Sequence, residues 1–250
     1  MIKIILSGCN GYMGRVVTAM VDNDDTTAIT AGIDIDTSKL SDYPVYANPK
    51  KIKEQADVII DFSMPAALEG LLNFSKDRKI PLILCATGYS KEQITDIENA
   101  SKQIPIFRSG NMSLGINLLA DLIKRACAVL GEDFDIEIIE KHHRRKVDAP
   151  SGTAIMLADT AAEAMPHKPE YIYERESKNK PRNKNEIGIS AVRGGTIVGE
   201  HNIIFAGQDE IIELRHTAAS REVFAAGALK AARFMINKSQ GMYSMKNVLG

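Results

Sequence analysis

"IKIILSGCNGYMGRVVTAMVDN", residues 2–23, begins as a β-favouring apolar run, passes through three glycines, and continues with helical spacing. A buried strand (2–7) that turns at Gly8, Gly11 and Gly14 into a helix (11–23) is the opening unit of a βαβ fold. Glycines let such a turn close tightly and let backbone N–H groups approach an anion at the helix N-terminus, where the helix dipole favours negative charge. The spacing is G-x-x-G-x-x-G rather than the commoner G-x-G-x-x-G, so the motif needs its context. That context is Asp34, 20 residues beyond Gly14 at the end of the second apolar run, where a carboxylate accepts hydrogen bonds from an adenosine ribose. The plain alternative is a strand-to-helix turn that merely needs glycine, with Asp34 a solvated loop residue.

Outward from this stretch, strand-length apolar runs recur at 27–34, 56–62, 80–86 and 104–109. Helical patterns lie between them at 65–79 and 90–103, with Pro65 and Ser90 as start residues. Strands alternating with helices predict right-handed βαβ units and a parallel sheet covered on both faces. The pattern then changes: a long helix over 114–131, a half-buried strand over 134–143, and a helix from Thr153 to Met165. A polar, proline-punctuated stretch at 166–186 reads as a long surface loop. Three β-rich segments follow, broken at Gly194-Gly195 and Gly207-Gln208, which points to antiparallel or mixed pairing. A last helix over 221–237 is expected to close the chain. The expected fold class is α/β: a Rossmann-type parallel-sheet domain plus a smaller α+β domain with a mixed sheet.

Composition narrows the function classes. Of 250 residues, 44% are hydrophobic and 25% charged, and the net charge is -1, so no global pull toward nucleic acid or anionic membrane exists. Runs such as "IPLILCA" and "LGINLLADLI" fall short of a membrane span, and the N-terminus reads as a strand rather than a signal peptide. The 3 cysteines are odd in number and lack a C-x-x-C spacing, which argues against a disulfide framework or structural zinc and fits a reducing cytoplasm.

Chemistry concentrates in "EKHHRRKVDAPSGTA", residues 140–154. His142 can move a proton near neutral pH, and Lys146 can pair with a carboxylate or donate a proton itself. Neighbouring strand side chains point oppositely, so His142 and His143 share a ligand only if the strand ends there. Ser151, Gly152 and Thr153 stand at a helix start and offer N–H groups and hydroxyls to an anion. Together they describe a pocket for a carboxylate-bearing substrate with an acid beside it. The competing readings are a metal site, a basic nucleic-acid patch, and a solvated strand end followed by an ordinary cap. Glu140 without an HExxH spacing speaks against the first, and one short basic run without aromatic residues against the second. Arg144 and Arg145 individually suit the third. His167 reads as exposed; His201 and His216 read as structural histidines.

At this segment the chain resembles the dihydrodipicolinate reductase family, now described as 4-hydroxy-tetrahydrodipicolinate reductase, of bacterial lysine and diaminopimelate biosynthesis. The likeness extends through "GCNGYMGR" (8–15), "DFSMPAA" (61–67), "ATGYS" (86–90), "SGNMSLGIN" (109–117), "RGGTIVGEH" (193–201) and "SREVFAAGALKAARF" (220–234). The resemblance implies His142 as general acid with Lys146 as proton donor or carboxylate partner. It implies that His143, Lys146, Ser151, Gly152 and Thr153 hold a cyclic dicarboxylate. It places NADH or NADPH along Gly8, Tyr12, Met13, Asp34, Phe62, Thr87, Gly88, Asn111 and Met112, beside Gly11 and Gly14 of the turn; no metal is expected, on the spacing given above. It further implies a dinucleotide-binding domain over 1–113 with 220–250, a substrate-binding and oligomerisation domain over 114–219, and a homotetramer. Ile35 stands where some relatives carry a base for the 2'-phosphate of NADPH, while Arg15 and Lys39 lie near enough in sequence to serve. The alternatives are another two-domain dehydrogenase of a small dicarboxylate, or a nucleotide-binding protein without turnover.

Overall fold

The structure, a computed structural model, describes residues 1–38 and 40–250. In chain order the elements begin with β1 (Ile2–Ser7), α1 (Tyr12–Val21), β2 (Thr27–Ile33), β3 (Val45–Tyr46), β4 (Val58–Asp61) and α2 (Leu68–Arg78). Next come β5 (Leu82–Leu84), α3 (Lys91–Ser101), β6 (Pro105–Arg108), α4 (Leu114–Leu130), β7 (Asp135–His142) and α5 (Gly152–Ala164). The chain ends with β8 (Glu170–Ile172), β9 (Glu186–Arg193), β10 (Gly199–Ala206), β11 (Ile211–Ala218), α6 (Glu222–Met235), β12 (Gly241–Tyr243) and α7 (Met245–Leu249). Two compact units result: Met1–Leu114 with Arg221–Gly250, and Gly115–Ser220.

The first unit is a seven-stranded sheet of order β12-β6-β5-β4-β1-β2-β3, and every paired strand is parallel. Its central strands are apolar on both faces because both are covered. Alternation divides them: Ile4, Leu6, Val58 and Ile60 join the core that holds Val17 of α1 and Ala228, Ala232 and Met235 of α6. Ile5, Ile59, Leu82 and Leu84 face the opposite core with Leu71 and Phe74 of α2 and Ile97 of α3. Ser90 caps α3 in a reciprocal box with Gln93. The strand order reverses direction between β1 and β4, and a doubly wound sheet opens its ligand crevice at that point, outside the carboxyl ends of the strands.

The second unit is a five-stranded mixed sheet of order β11-β10-β7-β9-β8. Strand β10 runs antiparallel to β7 and β11, whereas β7 and β8 are parallel to β9. One face packs on Ile116, Leu119 and Ile123 of α4 and Leu157, Ala158 and Ala161 of α5. Of the breaks expected between successive strands, only that between β10 and β11 joins a hairpin pair. The connection from β9 to β10 instead passes the end of β7, where the Gly194 N–H donates to the His142 carbonyl (2.9 Å) and the Arg144 N–H to that of Gly195 (3.3 Å).

Two sequence expectations need correction. The 166–186 stretch is not all loop: β8 lies within it, anchored by buried Ile172 and by the Tyr171 hydroxyl, which donates to Asp159 of α5 (2.6 Å). Nor does the last long helix end the architecture, since β12 extends the parallel sheet beside β6 and α7 follows it.

Candidate active site

The glycine turn is shaped by contacts that exclude side chains. Gly8 has φ +73, and a Cβ there would stand 2.8 Å from the Phe62 backbone across the β1–β4 crevice. A Cβ on Gly14 would lie 2.2 Å from the Gly8 carbonyl oxygen. Gly11 precedes α1 without a side-chain cap, and no acidic residue sits in the first turn. The leading N–H groups of α1 are therefore directed at the turn with no competing carboxylate from that turn, which suits a diphosphate.

Asp34 follows β2. Its carboxylate accepts from the N–H of Asn10 (2.9 Å) and of Asp36 (3.2 Å), while the Asn10 amide donates to the carbonyls of Asp36 (2.7 Å) and Ser38 (3.0 Å). The carboxylate is thus tied to the glycine turn itself, within the same unit. Buried Asp61 ends β4 and accepts from the Ser63 N–H (3.0 Å) and hydroxyl (2.5 Å), which fixes the turn carrying Phe62. Burial pushes the Asp61 carboxyl up against these hydrogen bonds. Thr87 and Gly88 follow β5, and Asn111 and Met112 follow β6; Asn111 accepts the Ser113 N–H (2.8 Å). Residues drawn from five separate segments therefore gather along the carboxyl edge of one sheet. Tyr12 and Met13 open α1, with the Arg221 guanidinium 4.7 Å over the Tyr12 ring. Arg15 lines a shallow groove beside Tyr12, Val16 and Glu222. Lys39 lies outside the described residues.

In the second unit the reactive groups meet at the end of β7. Period-two alternation along β7 turns Ile136, Ile138, Glu140 and His142 inward together. Glu140 is fully buried and His142 is 9% exposed. The Glu140 carboxylate takes the two guanidinium nitrogens of Arg193 (2.8 and 2.7 Å), His142 Nδ1 (2.6 Å) and the Ser151 N–H (3.0 Å). Burial opposes its charge, yet Arg193 and His142 hold its pKa below the usual carboxylate range. Burial dominates at His142, and the cations Lys146 and Arg193 reinforce it; the imidazole pKa falls below its ordinary value although Glu140 pulls it upward.

His201 pairs in register with Glu140, and its ring stands edge-on to that of His142 at 5.3 Å. Burial, with His142 next, lowers its pKa to about 4, so it is neutral at pH 7. Ser151 caps α5: its Oγ accepts the Ala154 N–H (3.2 Å) and lies 3.2 Å from His201 Nε2. Ser151 is 2% exposed, so its polar groups serve the scaffold, while Gly152 and Thr153 stand at the accessible start of the helix. Lys146 pairs with Asp148 at 2.8 Å. That pairing leads in holding Asp148 below the usual carboxylate range, with the N–H groups of Asp148 and Gly152 contributing. A carboxylate of the chain itself therefore already pairs with this lysine. His143 lies just past the end of β7, half-buried.

The structure thus brings His142, Lys146, Ser151 and Gly152 to one corner. The sequence reading considered Glu140 only as a metal ligand, left His201 aside and gave Arg193 no role. The available signal was register: an acid two residues before His142, on the inward face of an otherwise apolar alternation. Among the described residues no His, Cys, Asp or Glu cluster suits a metal ion.

A doubly wound parallel sheet with a glycine turn at its switch point is the architecture of Rossmann-type dinucleotide-binding proteins. Residues 2–112 match the family described as "Dihydrodipicolinate reductase, N-terminus", and residues 115–249 match "Dihydrodipicolinate reductase, C-terminus". The chain belongs to this dihydrodipicolinate reductase family. A 4-hydroxy-tetrahydrodipicolinate reductase of Caldanaerobacter subterraneus subsp. tengcongensis is 53% identical, covering 100% of this chain and 98% of that one. The Clostridium tetani reductase of the same name is also 53% identical, over 100% of this chain and 97% of its own. The solved dipicolinate-bound dihydrodipicolinate reductase of Paenisporosarcina sp. TG-14 shares the fold, with a TM-score of 0.82 over 99% of each chain at 24% identity.

Proposed function

We propose that His142 and Lys146 serve the reductase reaction at the end of β7, where a cyclic dicarboxylate binds. The protein is an NAD(P)H-dependent oxidoreductase of lysine and diaminopimelate biosynthesis; it reduces 4-hydroxy-tetrahydrodipicolinate to tetrahydrodipicolinate with loss of water. The observation that carries the site assignment is the Asp148 carboxylate held by Lys146 at 2.8 Å, four residues before the start of α5. A substrate carboxylate of the same chemistry displaces it and gains the α5 N-terminus. His143, Ser151 and Thr153 complete that corner, Ser151 by fixing the start of the helix.

The unit of Met1–Leu114 with Arg221–Gly250 holds the dinucleotide: the α1 N-terminus and Gly8, Gly11 and Gly14 take the diphosphate, and Asp34 takes the ribose. Tyr12, Met13, Phe62, Thr87, Gly88, Asn111 and Met112 line the remainder. When bound, the nicotinamide supplies the hydride. His142 is neutral before substrate arrives; substrate carboxylates offset the cations that depress its pKa, and the ring gains the proton it then donates. Lys146 neutralises the bound carboxylate and stands second as a donor. The Gly115–Ser220 unit carries substrate binding and assembly. Val192 and Ile211, 44% and 65% exposed and displayed away from the helix-covered face of the mixed sheet, support a homotetramer, and the reading places it in the cytoplasm.

Pyridine-2,6-dicarboxylate, a planar dicarboxylate, tests the corner directly. A Cβ on Gly152 would meet nothing of the protein within 4 Å, so Gly152→Val obstructs a ligand without disturbing packing. Calorimetric titration is expected to show binding to the wild type and at least tenfold weaker binding to the variant. Equal affinities would move the carboxylate site elsewhere.

A further inference from the structure

We infer that Glu140 is a positioning residue for this reaction: it fixes His142 in the tautomer whose titrating nitrogen is Nε2 and ties that ring to the first turn of α5. The inference rests on the assignment of His142 as the acid. Its basis is a donor count. Arg193 presents guanidinium N–H groups to both Glu140 oxygens (2.8 and 2.7 Å), and the Ser151 amide donates at 3.0 Å. These partners only donate, and the guanidinium is permanently charged, so Glu140 is an ionised, acceptor-only group. The imidazole nitrogen 2.6 Å away must therefore carry its hydrogen on Nδ1. The proton that comes and goes is then on Nε2.

The surroundings are arranged for that nitrogen. A Cβ at Gly199 would stand 3.1 Å from Nε2, so glycine leaves the ring edge uncrowded. The groups facing His142 are Glu140 from β7, Arg193 from β9, His201 from β10 and Lys146 from the loop after β7. Glu140 is the single anion among them. Register explains the assembly: residues 140 and 142 share a strand face, and His142 pairs beside Arg193 on β9. A carboxylate that only anchored Arg193 or α5 would not need the imidazole as a partner.

Ring-nitrogen NMR of the whole protein at neutral pH, with His142→Gln for assignment, reads the tautomer without activity. The wild type is expected to show His142 protonated on Nδ1 with Nε2 bare. Glu140→Gln sets an amide N–H against Nδ1 and is expected to switch the hydrogen to Nε2. The same variant is expected to lower turnover about 10²–10⁴-fold, the range for a catalytic histidine in the wrong tautomer or without its acid–base role. With the one anion removed, the imidazolium is less favoured, and the alkaline limb of its kcat/KM profile, where the acid loses its proton, moves to lower pH. Arg193→Lys retains a cation beside Glu140 and is expected to keep the wild-type tautomer; a switch there would trace the tautomer to packing and overturn the inference. A folded Glu140→Gln with unchanged tautomer and pH profile overturns it as well, while wild-type reduction of substrate stands. If Glu140→Gln does not fold, the wild-type spectrum decides alone, and an Nε2-protonated His142 refutes the inference. A wild type that shows the tautomer but does not reduce 4-hydroxy-tetrahydrodipicolinate sinks the functional reading instead.

Discussion

We propose that, at the level of single side chains, Asp34 and Arg15 set the balance between the two cofactors. The Asp34 carboxylate, oriented by the Asn10 N–H at 2.9 Å, suits two ribose hydroxyls and repels a 2'-phosphate. Arg15 is exposed on α1 and offers a compensating charge. We expect a modest preference for NADH with NADPH still usable. Asp34→Ala is expected to weaken NADH more than NADPH, and Arg15→Ala the reverse; dissociation constants of both cofactors for both variants check this, and an unchanged ratio for Asp34→Ala removes the carboxylate from the ribose. The sequence exposed these residues because glycine spacing and strand-end acids carry local signals. His142 and Lys146 are candidates on the same kind of local signal. Glu140 and Arg193 lie 53 residues apart, and only the parallel pairing of β7 with β9 turns them into one ion pair.

Elements whose reason is local were legible, and those held by distant partners were not. The capping box at Ser90 and the buried alternation of β7 follow from a few neighbouring residues. The three-residue strands β8 and β12 show no such period and owe their form to a neighbour already in place. The polar stretch after β8 is held by charge: Arg182 reaches Asp135 (2.6 Å), Glu137 (3.1 Å) and the carbonyls of Ile136 (3.1 Å) and Glu186 (2.6 Å). Arg182 thus fastens residues 173–185 across β7 and β9. Arg182→Ala is expected to expose this segment to proteolysis and hydrogen exchange while α4 and α5 stay protected. Uniform protection throughout the variant would show that Arg182 is not the fastening.

At the scale of the whole molecule, burying a neutral histidine couples stability to pH. His201 is 4% exposed, and its pKa falls from the ordinary 6.5 to about 4. Between those values the unfolded chain binds a proton that the folded one refuses, so stability is full above pH 6.5 and declines as pH falls toward 4. The decline amounts to on the order of 3 kcal/mol from this residue. His142 and His216, also lowered by burial, act in the same direction. Urea midpoints measured across this range are expected to fall less steeply for His201→Gln than for the wild type, and equal slopes would contradict the assignment.

The alternating first half and mixed second half of the sequence were enough to read an α/β fold with two sheets, because each pattern repeats over many elements. The packing of α6 on the first sheet leaves no local trace in the sequence. Small side chains account for it: Ala225, Ala228, Ala231 and Ala232 are fully buried, and a Cβ on Gly227 would come within 1.8 Å of the Met112 carbonyl. That close approach is possible only for a helix of small residues. The direct measurement is NADH and NADPH oxidation by the wild type and by the His142→Ala, Lys146→Ala double variant, with enzymatically generated 4-hydroxy-tetrahydrodipicolinate. The wild type is expected to oxidise cofactor only when that compound is present, and the folded double variant to bind cofactor normally while turning over at least about 10²-fold more slowly. Near-wild-type turnover by the double variant, or wild-type cofactor binding without substrate-dependent oxidation, would contradict the account.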